Sequence, residues 1–221
     1  LIEDSETRHV ELHRRPLGVV AAIIPWNFPL ALLGSKVSSI LLAGNTVVAK
    51  PAGTTQLATL RFGELIQHVA PPGVINIIAD ANDLGHVLTA HPDVRKVSFT
   101  GSTNTGKRVM ASAADSLRRV TLERGGNDAA MVLHDAVPAE TAAGIFRSAF
   151  SNSGQVCVAL KRLYVQERIY DAVVDELAKL ANQAVVGDGS EQGVQFGPVQ
   201  NKAQFERVKD LLEDARKNGK V

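Results

Sequence analysis

Apolar residues fall into two rhythms along the 221-residue chain. Residues 17–24, LGVVAAII, form a short run rich in Val and Ile, the pattern of a strand buried on both faces. Residues 29–43 follow with helical spacing and end at Gly44. The same alternation continues. Strands are predicted over 46–49, 74–79, 96–100 and 120–122, with helices over 54–69, 84–90 and 105–114 between them. Short turns of Gly and Pro separate them, which argues for βαβ units and a parallel sheet. After Gly125-Gly126 the rhythm restarts, with strands at 129–133 and 162–165 and helices at 141–150 and 169–184. A Gly-rich loop (186–198) then leads to a charged amphipathic helix over 202–217, with Phe205, Val208, Leu211 and Leu212 on one face. The expected fold class is α/β: an open parallel Rossmann-like sheet over 16–125, followed by the start of a second α/β domain over 126–221. Residues 1–15 are highly charged and alternate poorly. They read as an extended arm that pairs outside the chain, or as a solvated leader.

Composition narrows the function classes. Apolar residues make up 45% and charged residues 21%, as in globular proteins and unlike disordered tails. The 24 basic and 23 acidic residues nearly cancel. No single-sign field exists to hold nucleic acid or an anionic membrane, so neither partner is expected. The longest apolar run is far short of the ~20 residues a membrane helix needs. One cysteine cannot form an internal disulfide, which points to the cytoplasm. The chain begins without Met and is expected to be a piece of a longer protein. No metal is expected.

Candidate chemistry collects where strands end. Gly101-Ser-Thr-Asn-Thr-Gly106-Lys107 nearly matches the phosphate-binding pattern G-x-x-x-x-G-K-[ST]. Arg108 stands where the Mg²⁺-binding hydroxyl belongs, which rejects that reading. A looser one survives: small residues at a helix N-terminus present backbone N–H groups to an anionic ligand such as a pyrophosphate. The alternative is a plain strand-to-helix turn. Glu123 ends the fifth strand before Arg124-Gly125-Gly126, where ligands of parallel sheets bind. It is either a general base or a surface carboxylate. Asn27 lies in Pro25-Trp26-Asn27-Phe28-Pro29, either as an oxyanion donor or as a cap for the following helix. Lys50 ends the second strand, either hydrogen-bonding ribose hydroxyls or solvated. Gly85 marks a second turn on this edge. Cys157 follows a Ser-Gly turn and is either a nucleophile or a small buried hydrophobe.

Five stretches, in order, carry a family likeness: Pro25-Trp-Asn-Phe-Pro29, Gly44-Asn-Thr-Val-Val-Ala-Lys50-Pro51, Phe99-Thr-Gly-Ser-Thr103 with Gly106, Leu122-Glu123 with Gly125-Gly126, and Gly154-Gln-Val-Cys157. The chain resembles the aldehyde dehydrogenase superfamily over nearly its whole length. The resemblance implies NAD or NADP as cofactor, an aldehyde as substrate and a homo-oligomer. It implies Cys157 as nucleophile, Asn27 and the Cys157 backbone N–H as oxyanion donors, Glu123 as the base that activates water, and Lys36 in a proton relay. Trp26, Lys50, Gly53, Gly85, Gly101 and Ser102 are implied at the cofactor, Lys50 at the adenosine ribose and Ser102 at the pyrophosphate. The chain departs from the family pattern in several places, among them Ala81-Asn82, which replaces a glycine pair before Gly85. Gly53 replaces a Glu common in NAD-preferring relatives, so no carboxylate is expected to oppose a 2′-phosphate. Arg124 replaces an apolar residue; strand alternation turns it toward the helical layer, where it either snorkels to solvent or, as favoured here, destabilises the fold through its buried charge. The family's Glu-x-Phe-Gly-Pro segment is absent. The other class of function open to the chain is a non-catalytic dinucleotide-binding or structural relative.

Overall fold

The computed structural model describes residues 2–219, and the chain divides into two compact units between Gly125 and Gly126. Leu1, Lys220 and Val221, which the expected arm and second domain include, lie outside the described residues.

The first unit opens with a hairpin. β1 (Glu3–Asp4) pairs antiparallel with β2 (His9–Val10). Five parallel strands follow: β3 (Val19–Ile23), β4 (Thr46–Lys50), β5 (Ile75–Ile77), β6 (Val94–Gly101) and β7 (Arg119–Arg124). Their order in the sheet is β5-β4-β3-β6-β7. The chain winds outward from β3 in one direction, returns, and winds outward in the other. That doubly wound order places a switch point beside β3, where the carboxyl ends of the strands leave a crevice. The expected Rossmann-like sheet is therefore present.

The helices are α1 (Pro29–Leu42), α2 (Gln56–Ile66), α3 (Gly85–Ala90) and α4 (Thr103–Ala114). Strand alternation divides the core into two layers. Val20, Ala22, Ile24, Val47 and Ala49 pack on Leu33, Val37 and Ile40 of α1. Ala21, Ile23, Val97 and Phe99 pack the other way, on Leu88 of α3 and Val109 of α4. Leu33 is 0% exposed; burying such a side chain stabilises by roughly 1.5–3 kcal/mol. Pro29 starts α1 at a position where its missing N–H removes no helical bond. Asn45 locks the α1–β4 turn to β3: its Oδ1 accepts from the N–H groups of Leu17 (2.6 Å) and Gly18 (3.1 Å), and its Nδ2 donates to Ile40 O (3.2 Å).

The second unit has two parallel strands, β8 (Asp128–Val132) and β9 (Leu160–Val165), joined through α5 (Pro138–Phe150). Helices α6 (Tyr170–Gln183) and α7 (Lys202–Asn218) complete it. Val132, Ile145 and Val173 form its core with Leu160, Leu163 and Leu177. The apolar face expected on α7 exists, but Phe205, Val208, Leu211 and Leu212 are all at least 43% exposed. Among the described residues no helix is long and apolar enough to cross a membrane.

Candidate active site

In the first unit, the carboxyl ends of the strands hold the candidate residues. Pro25, Trp26 and Asn27 make the half-buried turn from β3 into α1. The N-cap position of α1 is Phe28, so Asn27 does not occupy the capping position.

Glu123 and Lys36 line one cleft of about 490 Å³ with Ser98, Lys96 and Thr121. The pleat explains the pairing. Val120 and Leu122 of β7 turn into the α3–α4 layer, so Arg119, Thr121 and Glu123 face the α1 side. Lys36, on α1, donates from Nζ to Ser98 Oγ at 2.9 Å. Burial pushes the Lys36 ammonium down; the Glu123 charge pulls it up and Lys96 pushes it down again, leaving it below the usual lysine range. A lysine that releases its proton more readily, in one cleft with a carboxylate, can pass protons.

Arg124 follows Glu123 on the opposite face. Its stem lies beside Gly106 of α4, whose added Cβ would stand 3.4 Å from Arg124 Cδ. The residue is exposed. The strand turns it toward the helical layer as expected, but the expected burial of its charge is overturned: the stem covers Gly106 and the residue stays in solvent. Arg124→Leu should therefore change stability by no more than about 0.5 kcal/mol. Denaturant unfolding measures this, and a clear gain in the Leu variant would restore the buried-charge account.

Lys50 ends β4 in a buried ion pair. Its Nζ donates to Asp80 Oδ1 at 2.9 Å and to Pro51 O at 3.4 Å. The two side chains are 7% and 0% exposed, so the solvated reading of Lys50 fails. Asp80 Oδ2 accepts from Leu84 N at 3.0 Å, at the start of α3. Burial pushes the Asp80 carboxyl up, but the Lys50 and Leu84 hydrogen bonds and the Lys50 charge outweigh it and hold the group below the usual carboxylate range. Gly85 lies beside the same lysine: a Cβ there would stand 3.8 Å from Lys50 Cε. A carboxylate is thus fixed on Lys50, from the loop after β5 rather than from position 53. A Cβ on Gly53 would meet Asp80 O at 3.2 Å, so any side chain there would press on the loop after β5.

Gly101 must stay small because a Cβ would stand 2.6 Å from Phe99 Cζ. Ser102 caps α4: its Oγ accepts from Thr105 N at 3.2 Å and bonds Thr105 Oγ1 at 3.0 Å. This fixes the small-residue turn that opens α4 and leaves its first N–H groups at the sheet's carboxyl edge. A dinucleotide fits the edge on one further observation. Gln56 Oε1 and Thr55 Oγ1, where α2 begins, are buried without a hydrogen-bond partner, which invites a polar ligand.

In the second unit, α5 ends at Phe150 and a 3₁₀ turn over Ser151–Gly154 leads to Cys157. Asn152, Ser153 and Gly154 have φ of 51°, 56° and 78°. Two consecutive non-glycine residues in this left-handed region store strain of about 1–3 kcal/mol each. The turn is held by its neighbours. Ser153 Oγ donates to Gly197 O at 2.9 Å, and Gln155 Oε1 accepts from Gln200 N at 2.8 Å. Phe196 packs edge-on against Phe146 of α5, with centroids 5.8 Å apart. The Cys157 carbonyl accepts from Gly126 N at 3.2 Å and from Lys161 Nζ at 3.0 Å. Cys157 is half-buried on this turn and does not belong to the apolar core of the unit. The role of loop 195–200 in bracing the cysteine turn escaped sequence reasoning, since those contacts link residues some 45 apart. Among the described residues no group of three or more His, Cys, Asp or Glu could hold a metal ion.

The comparisons agree with this architecture. The phenylacetaldehyde dehydrogenase of Pseudomonas fluorescens is 44% identical over 208 residues, covering 93% of this chain and 41% of that protein. The NADP(+)-named succinate-semialdehyde dehydrogenase of Escherichia coli is 40% identical over 208 residues, covering 93% and 43%. The NAD+ complex of an aldehyde dehydrogenase from Bacillus cereus superposes with a TM-score of 0.90 at 40% identity, covering 94% of this chain and 43% of that one. The chain thus spans under half the length of these relatives. The family model for the aldehyde dehydrogenase family matches residues 2–221. With a doubly wound sheet, an edge rich in candidate residues and a cysteine on a braced turn, the chain belongs to the aldehyde dehydrogenase family.

Proposed function

We propose that the protein carrying this chain oxidises an aldehyde to a carboxylic acid with NAD or NADP. Cys157, three residues after a braced turn with left-handed backbone, is the observation that carries the reading. A structural cysteine needs no such turn, whereas a nucleophile must be presented and reachable. The thiolate sulfur of Cys157 bonds to the aldehyde carbon and the carbonyl electrons move to oxygen. The Asn27 side-chain amide and the Cys157 backbone N–H stabilise that oxyanion. The nicotinamide, when bound, supplies the hydride acceptor for collapse of the tetrahedral adduct to a thioester. Glu123 takes a proton from water, the water oxygen attacks the thioester carbon, and the thiolate leaves with release of the acid. Lys36, in the Glu123 cleft, carries the proton away through its bond to Ser98.

Lys50 and Gly85 serve the adenosine end of the cofactor. Gly101 and Ser102 open the turn that receives the pyrophosphate, Gly53 keeps the ribose end open, and Trp26 lines the cleft. The family likeness supports a homo-oligomer, and the single cysteine supports a cytoplasmic location. Aldehyde-dependent formation of NADH or NADPH by the whole protein, with the acid identified as product, tests the reading. Cofactor binding without turnover of any aromatic, aliphatic or semialdehyde substrate would replace it with a non-catalytic binding protein.

A further inference from the structure

The carboxyl ends of β4 and β5 border a cavity of about 420 Å³ lined by Gly53, Gln56, Ala79, Asp80, Ala81 and Asn82, within the size range of ligand clefts. Of these lining residues only Asp80 is charged. The cation beside it, Lys50, is engaged by the Asp80 carboxylate at 2.9 Å. The wall is therefore electrically neutral as a pair, and Lys50 has no uncompensated charge to offer an anion. Gln56, also on the wall, buries an amide oxygen that has no partner. That oxygen accepts hydrogen bonds and cannot donate one. A hydroxyl can satisfy it. A 2′-phosphate dianion would find no free cation on this wall to offset its charge.

We infer that Asp80 makes this cavity select an adenosine ribose with a free 2′-hydroxyl over one carrying a 2′-phosphate, so that the cofactor is NAD rather than NADP. This rests on the dinucleotide reading given above. Asp80 is a positioning residue: with its side chain fully covered, it acts by holding and neutralising Lys50. Gly53 leaves the space open, and the charge that decides comes from the loop after β5.

Calorimetric binding of 5′-AMP and of 2′,5′-ADP to the whole protein tests this without turnover. The wild type is expected to bind 5′-AMP more tightly than 2′,5′-ADP. Asp80→Asn frees the Lys50 charge and should shift the ratio toward 2′,5′-ADP roughly tenfold or more. Asp80→Glu should keep the wild-type preference, which a purely structural role would not require. Gln56→Lys leaves the ion pair intact, so it carries the test if Asp80→Asn does not fold; it should shift the ratio the same way. Two outcomes would overturn the inference: a wild type that prefers 2′,5′-ADP, or a ratio unmoved by the substitutions that fold. Binding of neither nucleotide would remove the dinucleotide reading along with it. The expected preference without aldehyde oxidation would remove only the dehydrogenase reading.

Discussion

Replacing Cys157 by alanine in the whole protein should reduce aldehyde-dependent NADH or NADPH formation at least about a thousandfold, since the covalent adduct is assigned to this thiol. Cofactor affinity should stay within about twofold, because the roles assigned to Lys50, Gly85, Gly101 and Ser102 do not involve the thiol. The alanine should not unfold the turn. The bonds that brace it run from the side chains of Ser153 and Gln155 and from the Cys157 carbonyl, none of which the substitution removes. Steady-state kinetics and a cofactor titration on the two proteins settle the point. A Cys157→Ala protein that oxidises aldehydes at near wild-type rate would remove the thiol from the mechanism.

The second large effect belongs to Glu123. A positioned general base contributes roughly 10²–10⁴-fold to its step, so Glu123→Gln should slow thioester hydrolysis by about a hundredfold or more. Acylation uses the thiol and the oxyanion donors, so it should survive. The kinetic signature is a rapid burst of about one equivalent of reduced cofactor per site, followed by a slow steady state. The fold should tolerate the change, since Glu123 is exposed at the end of β7 and not part of either core layer. Loss of the burst together with the steady state would place Glu123 in acylation instead.

Much of this was legible because the sheet is parallel and buried. Runs such as Val19–Ile23 have no polar alternation to blur them, and Gly and Pro mark each turn. Element ends shifted by one to three residues: β6 begins at Val94 rather than 96, and α2 spans Gln56–Ile66 within the expected 54–69. The motif residues lie at strand ends because β-strand length fixes them there. What sequence could not give were pairings across turns. Asp80 is 30 residues from Lys50 and reads as an ordinary loop aspartate until the fold brings its carboxylate onto the lysine. Arg124 looked like a buried charge because alternation assigns a face but not how far a long side chain reaches to solvent. The charged arm gave no sign that Glu3 and Asp4 would pair with Val10 and His9, because two-residue strands carry no periodicity.

The most direct test of the account is the mass of the Glu123→Gln protein quenched in acid after mixing with NAD and an aldehyde that the wild type oxidises. The account predicts an added acyl mass, carbonyl retained and one hydride lost, on the proteolytic peptide that contains Cys157. It also predicts release of that mass by hydroxylamine, as expected for a thioester. Reduced cofactor formed with no acyl group on Cys157, or with the acyl group on another residue, would contradict it.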